Sequence, residues 1–166
     1  MAQSLTLLPF DHCEDLGIVA GVKKHGEVLE FMYLLEGDID DLLFPPPSPP
    51  IRTDGLWTST CFEMFIGTGE VSYVELNFAP SGQWAAYGFS KYREGMRELG
   101  LATPRISFAR NRLVATVELA ADAGSPFNMA AVIERKDGMR SYWALAHPKG
   151  NRPDFHSRDC FVGKLP

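Results

Sequence analysis

The chain has 166 residues, 45% of them hydrophobic and 22% charged, with a formal net charge of −5. That is one domain's worth of chain, 1–166, and enough to close a sizeable core. An acidic balance with dispersed lysines and arginines argues against nucleic acid or an anionic membrane surface as the main partner, since both need a clustered basic face.

The opening MAQSLTLLPFDHCED has neither a basic n-region nor a long apolar stretch, so no secretory signal is read there. No apolar run approaches the roughly 20 residues of a transmembrane helix. The cysteines, Cys13, Cys61 and Cys160, are odd in number and far apart, and no CxxC occurs. No disulfide is expected among them, and a reducing cytoplasm fits best.

Short apolar segments then alternate with Gly, Pro and Asp turns. Strands are expected at 5–9, 17–24, 27–36, 58–66, 71–78, 83–89, 105–110, 112–119, 127–134 and 140–146. Turns fall at His25-Gly26, 67–70, 79–82 and Lys136-Asp137-Gly138; Asp-Gly between strand-like runs is a strong hairpin signal. Leu113, Ala115, Val117 and Leu119 fall on one face, with Thr116 and Glu118 on the other, and Phe127, Met129, Ala131 and Ile133 share one face. This period of two predicts an all-β fold, a two-sheet antiparallel β-sandwich of about ten strands. Short helices are expected only at 38–43 and 91–99. Five prolines in 44–50 make that segment an extended surface loop, either a stiff connector or a polyproline ligand for a partner domain.

The central hairpin carries the most information. In 72–78, Val74, Leu76 and Phe78 face one way and Tyr73, Glu75 and Asn77 the other. Pairing Phe62 with Leu76 and Met64 with Val74 buries all four. It also sets Glu63 opposite Glu75, Phe65 opposite Tyr73 and Cys61 opposite Asn77. Facing carboxylates repel unless the face is well solvated or a cation, a basic side chain or a ligand hydroxyl lies between them. Aromatic rings beside carboxylates and an amide are the composition of a saccharide-type site. The plainer alternative is a wet surface face. Trp84 follows Ala79-Pro80-Ser81-Gly82: a two-residue loop sends it to the polar face, and a bulged three-residue loop sends it to the core.

Asp54-Gly55-Leu56-Trp57, Thr60-Cys61-Phe62-Glu63-Met64-Phe65, Tyr73-Val74-Glu75-Leu76-Asn77 and Pro80-Ser81-Gly82-Gln83-Trp84 together resemble the DOMON-like superfamily. The nearest branch is the family 9 carbohydrate-binding-module-like domains, in a short stand-alone bacterial form, over residues 27–166. The resemblance implies a β-sandwich that binds sugars in some members and haem in others. In the sugar binders tryptophans flank the ligand, and Trp57, Glu63, Glu75, Asn77 and Trp84 are the matching positions. Haem would need axial ligands from Met32, Met64, His147 or His156, and Met64 is better explained as core. No cofactor is therefore expected. Those modules are usually secreted and attached to a catalytic domain, and neither is expected of this chain.

The segment 147–160 is dense in polar groups. His147, Asp154, His156, Asp159 and Cys160 could ligate a metal, but their spacing matches no standard zinc pattern. A structured return loop is the better reading, with Asp154 and Asp159 bonding backbone amides and Phe161, Val162 and Leu165 closing one end of the core. A third reading has Arg152, His156 and Arg158 at the rim of the site as donors to a polyhydroxylated or anionic ligand.

No GxSxG, HExxH, phosphate-cradling Gly-rich loop or Rossmann fingerprint is present. The expectation is a non-catalytic domain binding a small molecule, most naturally a carbohydrate, through Trp57, Glu63, Tyr73, Glu75, Asn77, Trp84, Arg152, His156 and Arg158. Two alternatives stand beside it: a protein-interaction module using the proline loop or a sheet edge, and a glycosidase using Glu63 and Glu75.

Overall fold

A computed structural model describes residues 3–166. Its strands are β1 (Gln3–Pro9), β2 (Leu16–His25), β3 (Val28–Gly37), β4 (Cys61–Gly67), β5 (Tyr73–Phe78), β6 (Trp84–Phe89), β7 (Arg97–Glu98), β8 (Arg105–Ala109), β9 (Arg112–Glu118), β10 (Pro126–Glu134), β11 (Arg140–Ala144) and β12 (Gly163–Lys164). Every segment expected to be a strand contains one. Only the two-residue strands β7 and β12 go beyond the periodicity.

The architecture is all-β and antiparallel. Eleven strands follow one hydrogen-bonded path, β7-β6-β5-β4-β10-β11-β1-β2-β3-β9-β8, curled into a half-barrel, and β12 pairs with β10 off that path. In place of two separate sheets there is a shared strand. Leu7 still pairs with Ile18 of β2, while Leu8 pairs with Ala144 of β11. The two ends of β1 thus serve the two limbs of the curl, which face each other across the main core. Phe31 meets Phe78 at 5.8 Å between ring centroids, and Tyr33 meets Phe62 at 5.0 Å.

β3 and β9 bury alternate residues, as a half-solvated strand does. β4, β5 and β6 are buried at every position. Their second face is covered by a separate apolar cluster in which Phe65, Tyr73, Tyr87 and Phe89 meet Phe155, Cys160 and Phe161 of the C-terminal return loop. The core residues read from the alternation, Phe62, Met64, Val74, Leu76, Leu113, Val117, Met129 and Ile133, all lie in the main cluster.

Neither expected helix forms. At 38–43 the chain makes a turn in which Asp38 Oδ1 accepts the Asp40 amide at 3.0 Å, and Leu42 bridges to Arg135. At 91–99 a tight turn closes between Lys91 and Glu94 and the chain continues into β7, with Arg93 at φ 53 and Gly95 at φ 67. Left-handed backbone at two positions is incompatible with a helix. Among the described residues the helices are short 3-10 turns at Leu56–Thr58 and Arg158–Cys160, and none is long and apolar enough to cross a membrane. The three cysteines are free; Cys61 and Cys160 are buried.

Tyr33 ties the two limbs together, its Oη donating to the Glu63 carbonyl at 2.5 Å inside the core. Tyr33→Phe removes that donor and leaves the ring packing intact. Unfolding free energy in urea should fall by about 1–3 kcal/mol, the cost of an orphaned buried group. An unchanged midpoint would show that the bond does not hold the limbs together.

Candidate functional site

The central hairpin pairs two residues away from the expected register. Phe62 lies opposite Phe78, Glu63 opposite Asn77, Met64 opposite Leu76 and Phe65 opposite Glu75. A slip of two preserves every side-chain face, so Glu63, Glu75 and Asn77 do share the face turned from the main core. The two carboxylates become diagonal neighbours instead of facing each other directly. Across the next ladder Glu75 lies opposite Tyr87.

That face floors a cavity of about 740 Å³, within the range of small-molecule sites. Glu63 and Glu75 lie at its floor, and Tyr87, Phe89, Tyr142 and Phe155 contribute aromatic walls. Trp57, from the 3-10 turn that precedes β4, stands at the opening with 47% of its surface exposed. His156 and Arg93 complete one side, and Arg140 another.

His156 is held by a specific network. The Arg93 backbone N–H donates to Tyr73 Oη at 3.1 Å, and that hydroxyl lies 2.7 Å from His156 Nδ1. With the phenol donating to Nδ1, the imidazole proton is assigned to Nε2, which lies 3.6 Å from Glu75 Oε2. Burial, reinforced by the Arg93 charge, lowers the His156 pKa to about 4. The approach to Glu75 is therefore a neutral imidazole beside a carboxyl and not an ion pair, despite the short distance. Tyr73 itself stacks on Phe89 at 4.8 Å, a buried post that positions His156.

Burial raises the Glu75 pKa to about 7, against the opposing effect of an Asn77 Nδ2 hydrogen bond at 3.1 Å. Glu63, 3% exposed, is raised well above the usual carboxylate range, by burial first and by the Glu75 charge second. Both carboxyls thus hold a proton at pH values where an exposed glutamate would not. At the rim, Tyr87 Oη donates to Asp54 at 2.5 Å, and Arg93 donates to Asp154 at 2.8 Å.

Trp57, Glu63, Glu75 and His156 line the cavity. Tyr73 and Asn77 lie just behind the lining, touching His156 and Glu75; Asn77 is fully buried, and its Oδ1 has no partner among the described residues. Three of the expected site residues are placed elsewhere. Trp84 pairs with Phe78 and is buried in the main core, its Nε1 donating to the Pro50 carbonyl at 3.3 Å. The loop before it is the bulged three-residue one, 80–82: the Ala79 N–H donates to the Gln83 carbonyl at 2.9 Å and Gly82 is left-handed at φ 92, which turns Trp84 toward the core. Arg158 clamps the β4–β5 turn, donating to the carbonyls of Gly69, Glu70 and Ser72, with its guanidinium 5.0 Å from the Phe161 ring. Arg152 is exposed and outside the lining.

The candidate metal and haem ligands are dispersed as well. Met64 is in the main core, His147 Nε2 lies 2.8 Å from the Leu8 carbonyl, and Cys160 Sγ donates to the Asp154 carbonyl at 3.2 Å. Among the described residues no three His, Cys, Asp or Glu side chains converge as a metal site.

Tyr87 and Phe89 were legible in principle, since they alternate with core positions along 83–89. Arg93 was not, because its segment reads as helical. Tyr142 and Phe155 reach the cavity only through the tertiary fold.

No protein-family model matches the chain, and no curated protein matches it in sequence. A solved structure does match: that of "a putative carbohydrate-binding protein" from Bacteroides uniformis ATCC 8492, with a TM-score of 0.68 at 15% identity over 99% of this chain and 85% of that one. At that identity the likeness shows the fold.

Proposed function

We propose that this chain is a non-catalytic binding domain for a carbohydrate or similarly polyhydroxylated small molecule. The observation that carries the reading is the pairing of two buried carboxyl groups, Glu63 and Glu75, with a half-exposed tryptophan, Trp57, around one cavity. Carboxyls and a neutral His156 N–H offer acceptors and donors for hydroxyls, and the rings offer faces for sugar C–H surface. The solved relative of the same fold described as carbohydrate-binding supports it. A DOMON-like, family 9 type of module folded as one domain, working in the cytoplasm without a cofactor, belongs to the same proposal and rests on the sequence motifs and cysteine usage.

Titration calorimetry against a panel of mono- and disaccharides tests the reading. Trp57→Ala should weaken binding by about 1–2 kcal/mol, roughly ten-fold, through loss of a stacking surface. Because Trp57 is half exposed, its unfolding midpoint should barely move. Unchanged affinity in Trp57→Ala would remove the tryptophan from the site.

A further inference from the structure

The charged groups around the cavity are matched, with two exceptions. Asp54 lies 3.2 Å from Arg52 and accepts from Tyr87. Arg93 is bonded to Asp154, which also accepts from Tyr92. Arg140 lies across the β10–β11 ladder from Glu134, 3.6 Å away. Each arginine that lines the cavity therefore has its own carboxylate, and His156 is neutral. What remains is Glu63 and Glu75.

Glu63 is almost wholly buried and lines the cavity, yet no described residue donates to its carboxyl, and after burial it is the Glu75 charge that raises its pKa. Glu75 receives one amide bond, from Asn77, and faces the imidazole edge of His156. Glu63 stands on β4, Glu75 and Asn77 on β5, Tyr87 on β6, Arg140 on β11 and His156 on the return loop. None of these elements brings a free cation to the floor. A buried acidic pair is unfavourable when both members ionise; the Arg93 charge acts on Glu75 but is bound to Asp154, and no described residue offers Glu63 a cation. Aromatic rings around the floor favour a cation over a second anion, because a ring face is electronegative.

We propose that the ligand carries a protonated amine, seated against Glu63 and Glu75 and enclosed by Tyr87, Phe89 and Phe155: an amino sugar or a similarly hydroxylated amine. This rests on the polyhydroxylated-ligand reading above and narrows it to a cationic class. Binding the ammonium group displaces protons from the two carboxyls, so it releases protons to the buffer. Affinity rises with pH as Glu75 ionises near 7.

The probes are glucosamine, glucose and N-acetylglucosamine, which share a ring but differ in charge, and cyclohexylamine, which has the amine without the hydroxyls. Calorimetry is run at neutral pH in buffers of different ionisation enthalpy. Glucosamine should bind at least about ten-fold more tightly than the two neutral sugars, a typical worth for a charge-assisted contact. Its enthalpy should report proton release. Glu63→Gln and Glu75→Gln, each isosteric with the protonated side chain, should each cancel that advantage, so that glucosamine and glucose bind each variant equally and no protons are released. Two variants guard against the loss of one through misfolding.

Equal affinity for charged and neutral sugars, unaffected by either variant, overturns the amine inference and leaves the saccharide reading standing. Glu63-dependent binding of cyclohexylamine as tight as that of glucosamine supports the amine seat and overturns the polyhydroxylated ligand. No binding of either amine, with neutral sugars bound, again overturns the amine inference alone. No binding of any probe overturns both.

Discussion

Phe62→Ala is expected to lower the unfolding free energy by about 3–5 kcal/mol, the range for truncating a buried aromatic. Phe62 is fully buried where the two limbs of the curled sheet meet, against the Tyr33 ring. Its neighbours on β3 and β4 are strands whose backbones are fixed by ladders on both sides, so the space it leaves cannot collapse cheaply. A domain of ordinary stability holds only about 5–15 kcal/mol in total, so the variant should sit close to its folding limit at ambient temperature. Urea unfolding followed by tryptophan fluorescence measures it. A loss below about 1 kcal/mol would mean that the limbs do not form one tight core at this point.

The same residue marks what could be read from the sequence. Alternation of apolar and polar positions gave Phe62, Met64 and Leu76 their common face, because a strand's side chains have a period of two. Alternation is blind to a shift of two, however, and the hairpin register came out displaced by that amount. The length of the 68–72 turn decides it, and Arg158, from a distant part of the chain, binds the Gly69, Glu70 and Ser72 carbonyls of that turn. Arg158 itself looked like a ligand donor for the same reason: local sequence does not show that a guanidinium is already occupied by backbone. At 91–99 a helix-compatible composition was overridden by turn geometry at Arg93 and Gly95. There Arg93 meets both Tyr73 and Asp154, contacts with partners about 20 and 61 positions away. Trp84 was ambiguous because one loop residue more or less reverses its face. The acidic pair is legible in the sequence, since it lies within one hairpin. The cavity around it is not, being assembled from the 3-10 turn at Trp57, the strand β11 and the return loop at Phe155 and His156.

That acidic pair should also reverse the usual dependence of stability on pH in the free protein. A glutamate whose pKa is raised by folding binds its proton more tightly in the native state. Stability then falls as pH rises from the unfolded pKa through the folded one. Glu75 moves from 4.5 to about 7, so its contribution is full below about pH 4.5 and is lost by about pH 7. The loss amounts to about 3 kcal/mol at 1.36 kcal/mol per pKa unit. Glu63, raised further by burial and by the Glu75 charge, continues the decline to higher pH. His156 acts in the opposite sense. With its pKa lowered from 6.5 to about 4, it costs stability as pH falls through that window. Two carboxyls against one imidazole leave a net decline on the alkaline side, so the free protein should be more stable near pH 5 than near pH 8. Glu63→Gln removes one of the two ionisations, and the variant should therefore be more stable than the parent near pH 8 and close to it near pH 5. Urea unfolding of both proteins at the two pH values decides the matter. Stability of the parent that rises from pH 5 to pH 8, or a Glu63→Gln variant that is weaker at both, would show that the Glu63 carboxyl is ionised and satisfied in the folded chain.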